Sequence, residues 1–497
     1  MVLNGAEIVT EILKAHGVDI LFGYLSSDIP EIYDALEANR DSICHVFTAH
    51  EQSAIYAAEG YSGATGKTGI VMAVGDPGGT NIMIGMATAY MDGVPMVAIV
   101  SNAFGNMIGA NSFREDITLP IAKRCFAVRK VSELEDILKQ AFYLAQEGRK
   151  GPVLVDVARD AIWSLYDFKP GKQYKGKTEM MPTHTEISKA ADMINAAKNP
   201  VVIYGIGAAD SSHELLAFMR KASIQGVHTI MSVSTLPFDE PLNLGMAGTY
   251  GSSEAEQAVN SSDLVIGVGT RFSDRLMEDD RPFAPKAKIL HIDAASGEIS
   301  KSVTADMSLI GDVSKILSLL YPFINRKKRR ILPAARQRHI IFDMIEDLYP
   351  DGVYTTDVGP HQMMAAKYIR HKSPAHFISS GGLGTMGFGY GAAIGAAMGL
   401  GCRVFHITGD DSFYMNLIEA ATAVTYSIPV ISIIFNNRVS GAARRQQPDY
   451  MKSAEEYGVK GYSCKNAKEF QNVLRETVKH RGPIWIELRL YEGGFSP

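Results

Sequence analysis

The chain has 497 residues, 46% of them apolar, a formal net charge of −5 and four cysteines. That length exceeds a single core and calls for two to four domains with ample material for buried sheets. The mixed, slightly acidic charge excludes nucleic acid as the main partner, because phosphate neutralisation needs a basic face. Cysteines far apart, with no CxxC, exclude a disulfide framework or a zinc site and point to a reducing compartment, the cytoplasm.

No secretory leader is visible. Residues 5–17 read as an amphipathic helix with Ile8, Val9, Ile12 and Leu13 on one face. Residues 1–160 alternate helical patterns with Val/Ile strands such as 69–74 and 94–100, the rhythm of a parallel sheet covered by helices. Within this block Ala49-His50-Glu51-Gln52 opens a helical run, and Pro77-Gly-Gly-Thr-Asn81 lies nearby in sequence. Glu51 is a carboxylate in apolar company (Val46, Phe47, Ala54, Ile55), and enclosure there suits it to protonic work. Taken alone, it reads more simply as an acid favoured by a helix N-terminus.

Residues 161–184 lose the rhythm and read as a linker. A second block, 185–325, carries strands at 201–204, 264–268 and 288–293 and a helix from Ser212. The basic run Arg326-Lys-Lys-Arg-Arg330 falls in a second linker, 326–334, and reads as solvated. The third block is 335–497, so the fold class is α/β with three doubly wound parallel-sheet domains. Residues 379–402 are uncharged, and Gly391, Gly395 and Gly399 recur at four-residue spacing, as in membrane helices that dimerise. The preceding Gly-rich run, 381–387, makes a poor spanning helix and a good loop, so no membrane segment is assigned.

Gly409-Asp410 ends the apolar run 403–408, a helical stretch follows, and the run 429–435 ends in Asn436-Asn437. Strand, turn, helix and strand place the Asp410 carboxylate and an Asn amide at the carboxyl ends of two parallel strands, where ligands of open α/β sheets bind. One carboxylate, one amide oxygen and a backbone carbonyl suit a hard cation such as Mg²⁺. The competing reading is two ordinary turns with local Asp and Asn hydrogen bonds. The glycines of 381–389 let backbone N–H groups approach an anion at the start of a helix. The layout recurs earlier: Gly75-Asp76, Ala87-Thr88-Ala89, Pro95 and Asn102 precede Gly409-Asp410, Ala421-Thr422-Ala423, Pro429 and Asn436 by the same 334 positions. Two related α/β domains with a third between them are the expectation.

On His50-Glu51-Gln52, Ala58-Glu59-Gly60-Tyr61, Gly78-Gly79-Thr80-Asn81, the run 89–95, Thr356-Asp-Val-Gly359, the run 380–387 and the Gly-Asp…Asn-Asn signature, the chain resembles the thiamine-diphosphate enzymes, specifically the acetohydroxyacid (acetolactate) synthase group. The resemblance implies pyrimidine-binding, central and diphosphate-binding domains. It implies Mg²⁺ held by Asp410, Asn437 and the Val439 carbonyl. Gly409, Asp411, Ser412 and His361 would serve the diphosphate end, and Pro77 and Asn81 would also contribute to the cofactor site. Glu51 would contact N1′ of the aminopyrimidine and favour the tautomer that removes the thiazolium C2 proton. Met386 would hold the cofactor bent, and the Gly384 carbonyl would receive the 4′-amine. Half-sites come from different subunits in that family, so a homodimer or homotetramer is implied.

The implied chemistry is decarboxylation of a 2-oxo acid and ligation of the fragment to a second carbonyl. The alternatives are a non-ligating decarboxylase or C–C lyase, or a weakened cofactor-binding paralogue. The substrate region maps to Ser26, Ser27, Asn102, Phe113, Arg114 and Lys123. Departures from the family pattern are Asp411 and Pro360 where a Gly and a Gln are usual, Leu25-Ser26-Ser27 for Pro-Gly-Gly, Asn102 for Gln, and Arg114 within Phe-Gln-Glu. The segment after Asn437 is also short, which leaves the site more open to water. The central block keeps runs like the flavin-binding stretches of the group, but Tyr250 replaces a usual His, so FAD is weighed and disfavoured.

Overall fold

The computed structural model describes residues 1–24, 26, 29–102, 119–171, 174, 176, 180–276, 283–334, 337–437, 448–492 and 495. The candidate site residues Ser27, Phe113, Arg114 and Val439 lie outside them.

The chain divides into two compact units. One comprises Met1–Gly176, Gly352–Gln362 and Ile378–Pro497, and the other Lys177–Asp351 and Met363–Phe377. The first unit opens with β1 (Val2–Asn4), β2 (Ile20–Gly23), β3 (Cys44–Phe47), β4 (Gly69–Val74), β5 (Met96–Asn102), β6 (Arg124–Val128), β7 (Pro152–Ala158) and β8 (Leu165–Asp167). The helix Gly5–Ala15 starts on a capping box between Asn4 and Glu7 and buries Ile8, Val9, Ile12 and Leu13. Residues 161–168, read above as the start of a linker, close this unit instead. Ala161, Ile162 and Phe168 are buried with the N-terminal helix, and β8 pairs antiparallel with β1.

The second unit holds β9 (Pro200–Tyr204), β10 (Gly226–His228), β11 (Asn243–Met246), β12 (Leu264–Val268), β13 (Lys288–Asp293) and β14 (Met307–Ile310), ordered β11-β10-β9-β12-β13-β14. The basic run is not simply solvated here. Lys327 donates to Asn195 O, and Arg329 donates to Ala222 O and, at 3.1 Å, to Ala197 O. These carbonyls end the helices His184–Ala196 and Ser212–Ala222, where cations are favoured.

The first unit resumes with β15 (Val353–Thr356), β16 (Phe377–Ser379), β17 (Val404–Gly409), β18 (Val430–Asn436), β19 (Lys460–Cys464) and β20 (Ile484–Arg489). Its two six-stranded sheets run β3-β2-β4-β5-β7-β6 and β16-β15-β17-β18-β20-β19, the same topology once the strands of each are counted from their own start. The offset repeat is therefore a duplicated sheet. All three six-stranded sheets are parallel α/β sheets, and strands such as β4 and β18 are buried on both faces, as their unbroken Val/Ile runs require.

The two repeats meet through equivalent helices, Glu51–Thr65 and Phe388–Leu400, which pack in parallel within one shared core. The glycine stripe makes that approach. A Cβ on Gly391 would lie 2.8 Å from the Tyr56 Cβ, and one on Gly395 would strike the Ala57 carbonyl oxygen. From the facing helix, a Cβ on Gly60 would strike Ala392 O. Small residues at four-residue spacing thus serve a seam between two helices of one core. Among the described residues no helix is long and apolar enough to cross a membrane.

Candidate functional site

β17 and β18 are parallel neighbours, and their register pairs Gly409 with Phe435. Asp410 and the Asn436-Asn437 pair therefore leave the sheet side by side at its carboxyl edge. Asp410 is buried, and Asn437 is exposed. The Asn436 amide is spent within the sheet, donating to Glu487 Oε1 at 2.7 Å, which leaves Asn437 facing the edge. Asp411 is exposed, so its carboxylate stays in solvent, whereas Ser412 is buried with its hydroxyl 3.5 Å from Val358 O. Tyr450 Oη donates to the Asp410 carbonyl at 2.8 Å. Burial, with Asp410 and Asp411 nearby, raises its phenol pKa and keeps that donor protonated.

His361 lies beneath this corner. A Cβ on Gly359 or Gly409 would fall 2.6 or 2.9 Å from its Cε1, so both glycines are required by the ring. Burial lowers its pKa to about 4. Its Nε2 is buried and has no hydrogen-bond partner among the described residues. A buried polar atom without a partner is costly, so His361 Nε2 is a candidate contact for a group from outside the chain. The set fits a metal-bridged diphosphate: one carboxylate and one amide oxygen for a hard cation, and a waiting ring nitrogen between two bare backbones. Among the described residues no group of three or more His, Cys, Asp and Glu side chains is placed to hold a metal ion.

Gly384 and Met386 lie in the loop that precedes the Phe388–Leu400 helix. Gly384 has φ +77°, and Met386 is 40% exposed. The loop is tied to the helix Met83–Asp92 of the first repeat: Gly382 N donates to Asp92 Oδ1 at 2.5 Å, and Thr385 and Thr88 hydroxyls meet at 2.8 Å.

Glu51 begins the Glu51–Thr65 helix, whose N-terminus His50 caps by accepting from Gln52 N at 3.1 Å. Glu51 is half-buried rather than enclosed by its apolar sequence neighbours, of which Phe47 is itself 40% exposed. Asn81 Nδ2 donates to Glu51 Oε2 at 3.0 Å, and Gly78 gives the other oxygen its space. Pro77 is exposed on the same short helix, Gly75–Asn81.

Of the remaining candidate residues, Ser26, Asn102 and Lys123 are described. Ser26 follows β2, its N–H held by the Tyr33 hydroxyl at 3.2 Å, and Asn102 closes β5. Lys123 precedes β6 at the amino-terminal edge of its sheet, where its amine donates to Glu147 O. Burial lowers its pKa to about 8.

Two residues escaped the sequence reading. Glu419 is buried, which raises its pKa; its Oε2 accepts from Thr422 Oγ1 at 2.7 Å and from Ala49 N at 3.3 Å, beside the Glu51 helix. Tyr450 is the other, and nothing in the local pattern of either marked it.

Residues 3–119, 187–320 and 357–488 match the models described as the N-terminal TPP binding domain, the central domain and the C-terminal TPP binding domain of thiamine pyrophosphate enzymes. The chain is 34% identical to the probable acetolactate synthase large subunit of Methanocaldococcus jannaschii, over 98% of this chain and 92% of that one. It is 34% identical to the acetolactate synthase large subunit of Haemophilus influenzae, over 99% and 95%. Against the acetolactate synthase isozyme 3 large subunit of Escherichia coli the identity is 33%, over 96% and 92%.

Proposed function

Because the chain belongs to the thiamine pyrophosphate enzymes, we propose that it decarboxylates a 2-oxo acid and ligates the fragment to a second carbonyl, with acetolactate formed from pyruvate. The observation that carries this is the placing of Asp410 and Asn437 on adjacent strand ends above the unpartnered His361 nitrogen. Thiamine diphosphate, when bound, supplies a nucleophilic carbon and an electron sink.

The chain's own residues divide the remaining work. Asp410, Asn437 and the Val439 carbonyl would hold Mg²⁺, and Gly409, Ser412 and His361 would meet the diphosphate. Glu51, oriented by Asn81, holds a proton at N1′ of the aminopyrimidine. Gly384 and Met386 shape the middle of the cofactor site. Ser26, Ser27, Asn102, Phe113 and Arg114 are assigned to the substrate; Lys123 is not, since its amine is already engaged by Glu147.

Leu383, Met386, Tyr414, Met415 and Ile418 are exposed apolar side chains of the loop and helices around this edge. Their exposure supports a homodimer or larger homo-oligomer that covers them. FAD is left out of the assignment. Tyr250, where a His is usual in the group, is the ground for leaving it out. The visible spectrum of the purified protein checks this; flavin bands would reverse it. The reducing cytoplasm is the assigned compartment.

Incubation with thiamine diphosphate, Mg²⁺ and pyruvate, followed by product analysis, tests the function. Acetolactate is the expected product. Acetaldehyde alone would replace ligation by simple decarboxylation, and no turnover would remove pyruvate as the substrate.

A further inference from the structure

Asp357 follows β15 and is fully buried, yet three donors from two distant segments converge on its carboxylate. Gly389 N reaches Oδ1 at 2.9 Å, and Oδ2 receives Thr408 Oγ1 at 2.7 Å and faces His406 Nε2 at 2.8 Å. His406 continues the chain of contacts to β18, with Nδ1 3.1 Å from Ser432 Oγ. Tyr390 stacks on the imidazole at 5.5 Å and 6°. A Cβ on Gly389 would sit 2.6 Å from His406 Nε2, so the helix start is pressed onto the pair. Ser432, His406 and Asp357 have the connectivity of a nucleophilic triad, but all are fully buried and no substrate reaches the serine. The network therefore holds geometry. Burial pushes the Asp357 carboxyl upward, but His406, Gly389 and Thr408 together outweigh it and hold the group below its ordinary range. Such a carboxylate tolerates little displacement, because each lost donor leaves buried charge uncompensated.

The segments it joins are those given to the cofactor above. Gly389 follows the loop of Gly384 and Met386, Thr408 precedes Gly409-Asp410, and Ser432 lies on the strand that ends at Asn436-Asn437. We propose that Asp357, acting through His406, is a positioning residue that sets these three segments in register for binding the metal-bridged diphosphate. This rests on the proposed role of Asp410 and Asn437.

Asp357→Asn tests it by isothermal titration with thiamine diphosphate at fixed Mg²⁺. The variant keeps an acceptor for Gly389, and Thr408 retains the Gly409 carbonyl, 3.1 Å away. Binding is expected to weaken by roughly 10–100-fold, the usual scale for groups that orient metal ligands. Raised Mg²⁺ should recover part of the loss, which a merely structural defect would not allow. Parent-like affinity in the folded variant overturns the proposal. If Asp357→Asn gives no cooperative melt, Ser432→Ala replaces it, leaving the Asp357–His406 contact whole; weaker binding supports the proposal and unchanged binding overturns it. A parent chain that binds no thiamine diphosphate overturns the proposed function together with this inference, whereas a binding parent with unaffected variants overturns the inference alone.

Discussion

Gly395 lies so close to Ala57 that a single methyl group on the glycine would overlap the alanine carbonyl oxygen. These residues belong to the equivalent helices of the duplicated sheets. One of those helices begins with Glu51, and the other follows the loop of Gly384 and Met386. Helix packing, rather than either loop, thus fixes the distance between those two segments within the chain.

Gly395→Ala should consequently destabilise the protein by roughly 1–3 kcal/mol or more, the cost of overpacking where backbone blocks relaxation. Thermal melting of cofactor-free protein measures it. Gly297→Ala is the control, since nothing lies within 4 Å of a Cβ there. Equal melting points for the two variants would contradict the packing account.

Glu51→Gln should leave cofactor affinity near that of the parent, because Asn81 retains an oxygen to donate to. Exchange of the cofactor C2 proton, followed by NMR, should slow by about 10²–10⁴-fold, the usual scale for losing an acid–base group. Unchanged exchange would remove Glu51 from the proposed role.

Asp410→Ala should abolish Mg²⁺-dependent retention of thiamine diphosphate through gel filtration. The bond that Tyr450 donates to the Asp410 backbone is kept by alanine, so that anchor of the fold should persist. Full retention of the cofactor would move the metal elsewhere.

His45→Phe should stabilise the protein. Both ring nitrogens are buried without a partner among the described residues, and the ring lies against Tyr33 and Phe47. Removing them is worth about 1–3 kcal/mol at pH 7. Burial lowers the His45 pKa from 6.5 to about 4. Its neutral form is favoured in the folded state, so the associated stability is complete above pH 6.5 and is lost as pH falls towards 4. The advantage of the variant in urea titrations should therefore grow across that window and level off below it. A pH-independent difference would show that His45 does not titrate as described.

Local signals carried much of the architecture. Val/Ile runs bounded by Gly, Pro and Asn marked β4, β9, β12, β13, β17 and β18 to within a residue or so, because a doubly buried strand must be apolar throughout. The 334-residue offset announced the duplicated sheets before any contact was known. The glycine stripe was weighed only as the dimer face of a membrane helix, and its partner within the chain was not legible, since spacing names the face of a helix and not what lies against it.

The sequence by itself determined the element types of the strongly patterned segments, the duplicated layout and the residues that end β17 and β18, because periodicity and turn chemistry act over a few positions. Only the tertiary structure decided that Asn436 turns to Glu487 and leaves Asn437 at the edge, that Asp411 faces solvent, and that Glu419 reaches Ala49 across 370 positions. It also decided that Asp357 gathers Gly389, His406 and Thr408. Such contacts depend on which faces meet when separate cores close, and desolvation there assigns each polar group a partner that no local pattern specifies.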